Sequence, residues 1–143
     1  MPTIEEKIEN LWQWFEQNDG LIKTCLDDEQ SLVRDEIIER LNNLVLDFGM
    51  FTWEIGPVSN NTWFFTISPN GNKDLLKVSK KIMEYAPDFN DWELNYCKPL
   101  KKWNREFILY DNNMDEQFID ASEWNFFILK KNDGKSEIII EAK

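Results

Sequence analysis

From Trp63 to Pro99 the chain reads WFFTISPNGNKDLLKVSKKIMEYAPDFNDWELNYCKP, and this segment sets the centre of the fold. Its first residues continue a β-branched and aromatic run, Thr62–Ser68, of the kind that fits a pleated strand. Ser68-Pro69-Asn70-Gly71 then makes a turn, because Pro fixes φ and Gly is free to take a positive one. Asn72 stands where a helix cap is needed. From about Lys73 to Ala86, the side chains of Leu75, Leu76, Val78, Ile82, Met83, Tyr85 and Ala86 share one half of a helical wheel. Lys73, Asp74, Lys77, Lys80, Lys81 and Glu84 take the other half. Asp74 to Lys77 and Lys80 to Glu84 are spaced for ion pairing, so this outer face reads as solvated and salt-laced rather than as a phosphate site. Pro87 stops the helix, and Trp92–Tyr96 returns to strand patterning.

On its N-terminal side, FTWEI pairs naturally with TWFFTIS across Gly56–Asn61, giving an antiparallel hairpin of about Phe51–Ile55 with Thr62–Ser68. Before it lie two amphipathic helices. Thr3 and Glu6 form a capping-box pattern, and Ile4, Ile8, Leu11, Trp12, Trp14 and Phe15 lie to one side of a helix from about Ile4 to Gln17. Asn18-Asp19-Gly20 is expected to end it. The negative charge of Asp27-Asp28-Glu29 favours the start of a second helix, about Glu29 to Leu46, with Val33, Ile37, Ile38, Leu41, Leu44 and Val45 as its apolar stripe.

Toward the C-terminus, Arg105–Tyr110 and Trp124–Lys130 read as strands, the latter joined to Glu137–Ala142 through Asn132-Asp133-Gly134-Lys135. The pattern predicts an α+β domain. Its N-terminal helices and a third helix pack on one face of a mainly antiparallel sheet of about five to six strands. One domain is expected over residues 1–143, with an acidic helical part to about 48 and a mixed strand and helix part from about 49. A chain of this length with 42% hydrophobic residues buries roughly 68–70% of its unfolded surface.

The net charge of −11 is unevenly placed. Residues 1–60 hold 13 acidic and 4 basic side chains, and residues 61–143 hold 14 and 12. On the two N-terminal helices, Glu5, Glu6, Glu9, Glu16, Asp35, Glu36 and Glu39 face away from the apolar stripes and form the candidate partner-binding surface. Such a surface repels phosphates, which disfavours direct nucleic-acid binding, and steers a basic protein toward itself. Simple solubility accounts for the same charges.

No run reaches the ~18 apolar residues of a membrane span, and MPTIEEKIEN lacks the order of a signal peptide. The expected location is the cytoplasm. Cys25 and Cys97 belong to no CxxC pair and are expected as buried free thiols.

With no histidine in the chain, Ser-His-Asp and Cys-His catalysis, His-containing zinc sites and His general bases are excluded. No glycine-rich phosphate loop or nucleophile elbow is present. Neither a catalytic residue, a metal site nor a cofactor is expected. Asp111-Asn112-Asn113-Met114-Asp115 starts like a calcium loop, but Glu116 replaces the sixth-position glycine and Ser122 the closing glutamate, so it reads as a solvated loop between strands. Glu54, Asp91 and Glu93 adjoin Trp53 and Trp92, which offers a carboxylate and tryptophan site; alternation along a strand instead points such neighbours to opposite faces.

Trp53-Glu54-Ile55-Gly56, Phe65-Thr66-Ile67-Ser68 through Gly71, Ala86-Pro87, Trp92 and Lys98-Pro99 together resemble a family of small uncharacterised bacterial proteins. The likeness covers about Ser31 to the C-terminus, and the closing hairpin Trp124–Ala142 also fits it. It implies a bacterial, cytoplasmic, single α+β domain with no assigned catalytic residues. The functional expectation is a non-enzymatic protein-binding module of immunity or antitoxin type, whose acidic helices neutralise a basic partner such as a nuclease toxin. One alternative is a carboxylate- and tryptophan-based ligand-binding or hydrolytic domain, which needs a pocket joining the two. The other is a structural component of a larger assembly, which needs a contiguous exposed apolar patch.

Overall fold

In the computed structural model, which describes residues 1–100 and 103–143, the first helix begins with the reciprocal cap that Thr3 and Glu6 are spaced for. Thr3 N–H donates to Glu6 Oε2 at 2.7 Å, and Glu6 N–H donates to Thr3 Oγ1 at 3.2 Å. This helix, α1 (Ile4–Asp27), runs for 24 residues and continues through the Gly20 expected to end it. Ile22 and Cys25, two and five residues beyond Gly20, are buried in the core. Burying an aliphatic side chain stabilises by roughly 1.5–3 kcal/mol, which outweighs the roughly 1 kcal/mol cost of a glycine inside a helix.

The next helix, α2 (Arg34–Leu46), starts later than the acidic triplet suggests. Asp28 Oδ1 accepts the Gln30 N–H at 3.0 Å, so the triplet shapes the turn between the helices rather than capping α2. Ile37, Leu41 and Val45 carry the buried face of α2.

Strands β1 (Thr52–Pro57) and β2 (Trp63–Ser68) form the expected antiparallel hairpin. Gly56 sits opposite Phe64, and a Cβ there would meet the Phe64 ring at 2.9 Å. After β2, Asn70 and Gly71 both take positive φ, 53° and 80°, and Asn70 ties the turn to the start of β1 by accepting from Thr52 Oγ1 at 2.9 Å. Asn72 Oδ1 then caps α3 (Lys73–Glu84), accepting from Asp74 N–H and Leu75 N–H at 2.9 and 3.1 Å. Those bonds use the donors that an anion would need.

The chain returns as β3 (Trp92–Asn95), parallel to β2. The sheet order is β1-β2-β3, with β2 central. Registers place Trp53, Ile55, Trp63, Phe65, Ile67, Trp92 and Leu94 on one face, and all seven belong to the core or pack against it. The helices cover that face. Phe15 of α1 stacks on Phe65 at 5.1 Å and meets Trp92 edge-on at 4.8 Å. Trp53 Nε1 donates to Asn42 of α2 at 3.2 Å. The acidic helices thus belong with the strands that follow them, in a compact unit spanning Met1–Pro99.

Leu100–Lys143 forms a second compact unit. It contains two antiparallel hairpins, β4 (Glu106–Tyr110) with β5 (Glu116–Asp120), and β6 (Asn125–Lys130) with β7 (Ser136–Glu141). The chain is α+β and mainly antiparallel, as its patterning predicts. Among the described residues the strands, however, divide into one three-stranded sheet and two hairpins rather than five or six in one sheet. Among the described residues each strand of these hairpins pairs only with its sequence neighbour, across the short loops 111–115 and 131–135. Asp111 Oδ1 holds the first loop by accepting from Asn113 N–H and Asp115 N–H at 2.8 and 3.0 Å. Among the described residues, no helix is long and apolar enough to cross a membrane.

Candidate functional site

Glu5, Glu9 and Glu16 recur at helical spacing along one flank of α1, and that flank borders the end of α3. Together with Gln13, Tyr85 and Pro87 they rim an open groove of about 490 Å³. Its floor is Ile8 and Trp12, which are buried at 2% and 3% exposure. Trp12 fixes the arrangement, because its Nε1 donates to the Ile82 carbonyl of α3 at 2.8 Å in the buried interior. Helix ends leave carbonyls without intrahelical partners, and here an indole from another helix takes one of them.

The three carboxylates are not equivalent. Glu5 accepts from Lys81 Nζ at 2.5 Å. That hydrogen bond holds the Glu5 carboxyl below its ordinary value of 4.5 and raises the Lys81 ammonium above 10.5. Glu9 and Glu16 have no ion-pair or hydrogen-bond partner among the described residues. Both are exposed, so their charge is available to a ligand. Tyr85 is 62% exposed at the rim. An aromatic face beside two open carboxylates, above an apolar floor, suits an arginine or lysine: the charged head meets carboxylate or ring and the aliphatic stem lies on the floor.

The structure therefore brings together only part of the surface expected from sequence. Glu6 is occupied by the Thr3 cap. Asp35 and Glu36 lie in the first turn of α2, where negative charge stabilises the helix dipole. With Glu39, they line neither this groove nor the polar one between α1 and α2, of about 530 Å³, which Lys7, Asn10, Gln13, Arg40 and Asp47 border. Tyr85 and Pro87 carried no functional signal in the sequence. Only the 5, 9, 16 spacing of the glutamates marked this flank.

Of the three carboxylates beside the sheet tryptophans, two are held in ion pairs. Alternation puts Glu54 and Glu93 on the face opposite Trp53 and Trp92. Glu54 pairs with Lys98 at 3.6 Å, and Asp91 with Lys23. Lys23 Nζ also lies over the Trp92 ring, 5.0 Å from its centroid. Cys25 is buried, donates to the Ile22 carbonyl at 3.5 Å, and has its thiol pushed up by desolvation. Cys97, expected to be buried, is exposed in the segment after β3. Its position explains this, since β3 ends at Asn95 and the core face with it. No group of three or more acidic or thiol side chains converges to hold a metal ion among the described residues.

No family model, curated protein or solved structure matches the chain.

Proposed function

We propose that this chain is a non-enzymatic, cytoplasmic protein-binding module of immunity or antitoxin type, and that its α1 groove receives a basic segment of its partner. The observation that carries this reading is the pairing of two uncommitted carboxylates, Glu9 and Glu16, with an exposed Tyr85 above an apolar floor. Residues 1–99 carry 18 acidic and 9 basic side chains, so the field around the groove draws in cations and repels nucleic acid.

A synthetic arginine- and leucine-containing peptide, titrated against the full chain by isothermal calorimetry, tests it. Binding should weaken steeply as salt rises. The double substitution Glu9→Gln and Glu16→Gln should weaken it roughly fivefold, at about 0.5 kcal/mol for each exposed pair. Asp35→Asn with Glu39→Gln should leave it unchanged. Equal loss from both pairs of substitutions would reduce the groove to general acidity, and no binding at low salt would sink the proposal.

A further inference from the structure

The hairpin β6–β7 is a two-stranded sheet of its own, and its register decides which side chains share a face. Phe126 lies across from Ile140, and Ile128 across from Ile138. These four are 66%, 62%, 55% and 66% exposed. They make one contiguous apolar patch, continued toward the turn only by Lys130 and its partner Ser136. On the opposite face Phe127, Leu129 and Ile139 are exposed as well, but there Glu137 and Glu141 interrupt them.

Strands that are apolar on both faces follow the pattern of strands covered on both. A lone two-stranded hairpin is at best marginal in water, and contiguous exposed apolar side chains mark an interaction surface. Charge excludes one class of occupant and favours another. The patch holds no carboxylate, so a basic segment of the kind proposed for the α1 groove finds nothing to pair with. Residues 100–143 carry 9 acidic and 7 basic side chains, a balance of −2 against −9 for residues 1–99. Two copies that meet through this hairpin bring together the parts of the chain that repel least.

The single charge at the patch edge, Lys130, also tolerates a like partner. When two such faces pack with their strands antiparallel, the two ammoniums lie at opposite ends, about 20 Å apart for six residues at about 3.3 Å each. That distance exceeds the screening length of about 8 Å at physiological salt. We infer that a second copy of this chain covers the face of Phe126, Ile128, Ile138 and Ile140, giving an isologous dimer in which two hairpins pack as a small β-sandwich.

Sedimentation equilibrium of the full chain over a wide concentration range tests this. A reversible monomer–dimer equilibrium is expected. Ile138→Asp and Ile140→Asp should each weaken it more than about tenfold, because each buries an unpaired carboxylate in the interface. Ile139→Asp, the same change on the other face, should leave it in place. Rising salt should leave the dimer unchanged or tighten it, opposite to peptide binding in the α1 groove, so the two proposals fail separately. A chain that stays monomeric at every concentration overturns the inference. So does a dimer lost with Ile139→Asp and kept with Ile138→Asp. If the substituted chains do not fold, the unsubstituted one decides: hydrogen exchange at the β6–β7 ladder amides must slow as concentration rises, and exchange independent of concentration overturns the dimer.

Discussion

Strands β2 and β6, WFFTIS and NFFILK, share a Phe-Phe pair followed by an isoleucine, and have opposite surroundings. The last four residues of β2 are buried, whereas every residue of β6 is exposed. The difference lies in what the chain supplies around them. β2 is the central strand of three, with α1, α2 and α3 over its Phe65 and Ile67 face. β6 has one neighbouring strand. An apolar run states that a strand is to be covered, and it is silent on where the cover comes from. Residues 1–99 contain their own cover, in a core that runs from Ile8 to Trp92. Residues 100–143 have a short aromatic row, Trp103, Phe107 and Trp124 at 5.9 and 6.2 Å, and a buried Ala121.

A matched pair of truncations, Phe65→Ala and Phe127→Ala, should separate the two strands most widely. Phe65 is fully buried and stacked on Phe15, so its loss should cost about 3–5 kcal/mol. Phe127 is 50% exposed, and its loss should fall within about 0.5 kcal/mol. Urea unfolding at a dilution where the chain is monomeric measures both. A comparable cost at Phe127 would mean that β6 is covered in the monomer too.

Within the first unit's core, two buried indoles differ in one bond. Trp12 Nε1 donates to Ile82 O, while Trp92 Nε1 is buried without a partner among the described residues. Trp12→Phe leaves a helix-end carbonyl unpaired, and Trp92→Phe removes a donor that is already unpaired. Trp12→Phe should therefore be the more destabilising by about 1–3 kcal/mol. Equal costs in thermal unfolding would show that ring volume, not the hydrogen bond, governs both sites.

How legible these features were in sequence follows from how local they are. Thr3 with Glu6, and Asn72 with Asp74 and Leu75, are contacts within one turn, and residue type and spacing suffice to find them. The passage of α1 through Gly20 was not legible, because what overrides the glycine is burial of Ile22 and Cys25 against distant elements. Strand β5 is not legible for a related reason: Glu116–Asp120 reads EQFID, with too few apolar residues to show a period, and pairing with β4 makes it a strand. The parallel return of β3 beside β2 is likewise a property of the topology, not of either segment. At the groove, the glutamate spacing on α1 was visible. The meeting of that flank with Tyr85 and Pro87 depends on how α3 ends against α1, which no local pattern encodes.

The smallest effect separates two lowered carboxyls, one in each unit. Glu5 lies below its ordinary 4.5 chiefly through the Lys81 hydrogen bond, and Asp120 below 3.8 chiefly through the Ser122 hydroxyl. A carboxyl lowered by folding stabilises the folded state above its ordinary value, and that contribution fades as pH falls through the folded one. Lys81, raised above 10.5, has the opposite sign: its contribution is present below that value and fades as pH rises beyond it. The Glu5–Lys81 pair should therefore hold α1 to α3 between those limits and weaken outside them. Both acids are solvent-exposed, so the changes in melting temperature should be slight. Salt tells them apart, because it screens an ion pair and leaves a hydrogen bond to a neutral hydroxyl largely untouched. In acid titrations of the melting temperature, Glu5→Gln should differ from the unsubstituted chain at low salt and converge with it at high salt. Asp120→Asn should differ by the same amount at both. Salt-independent behaviour at Glu5 would mean that Lys81 acts there as a hydrogen-bond donor alone, and would remove the electrostatic part of the link between α1 and α3.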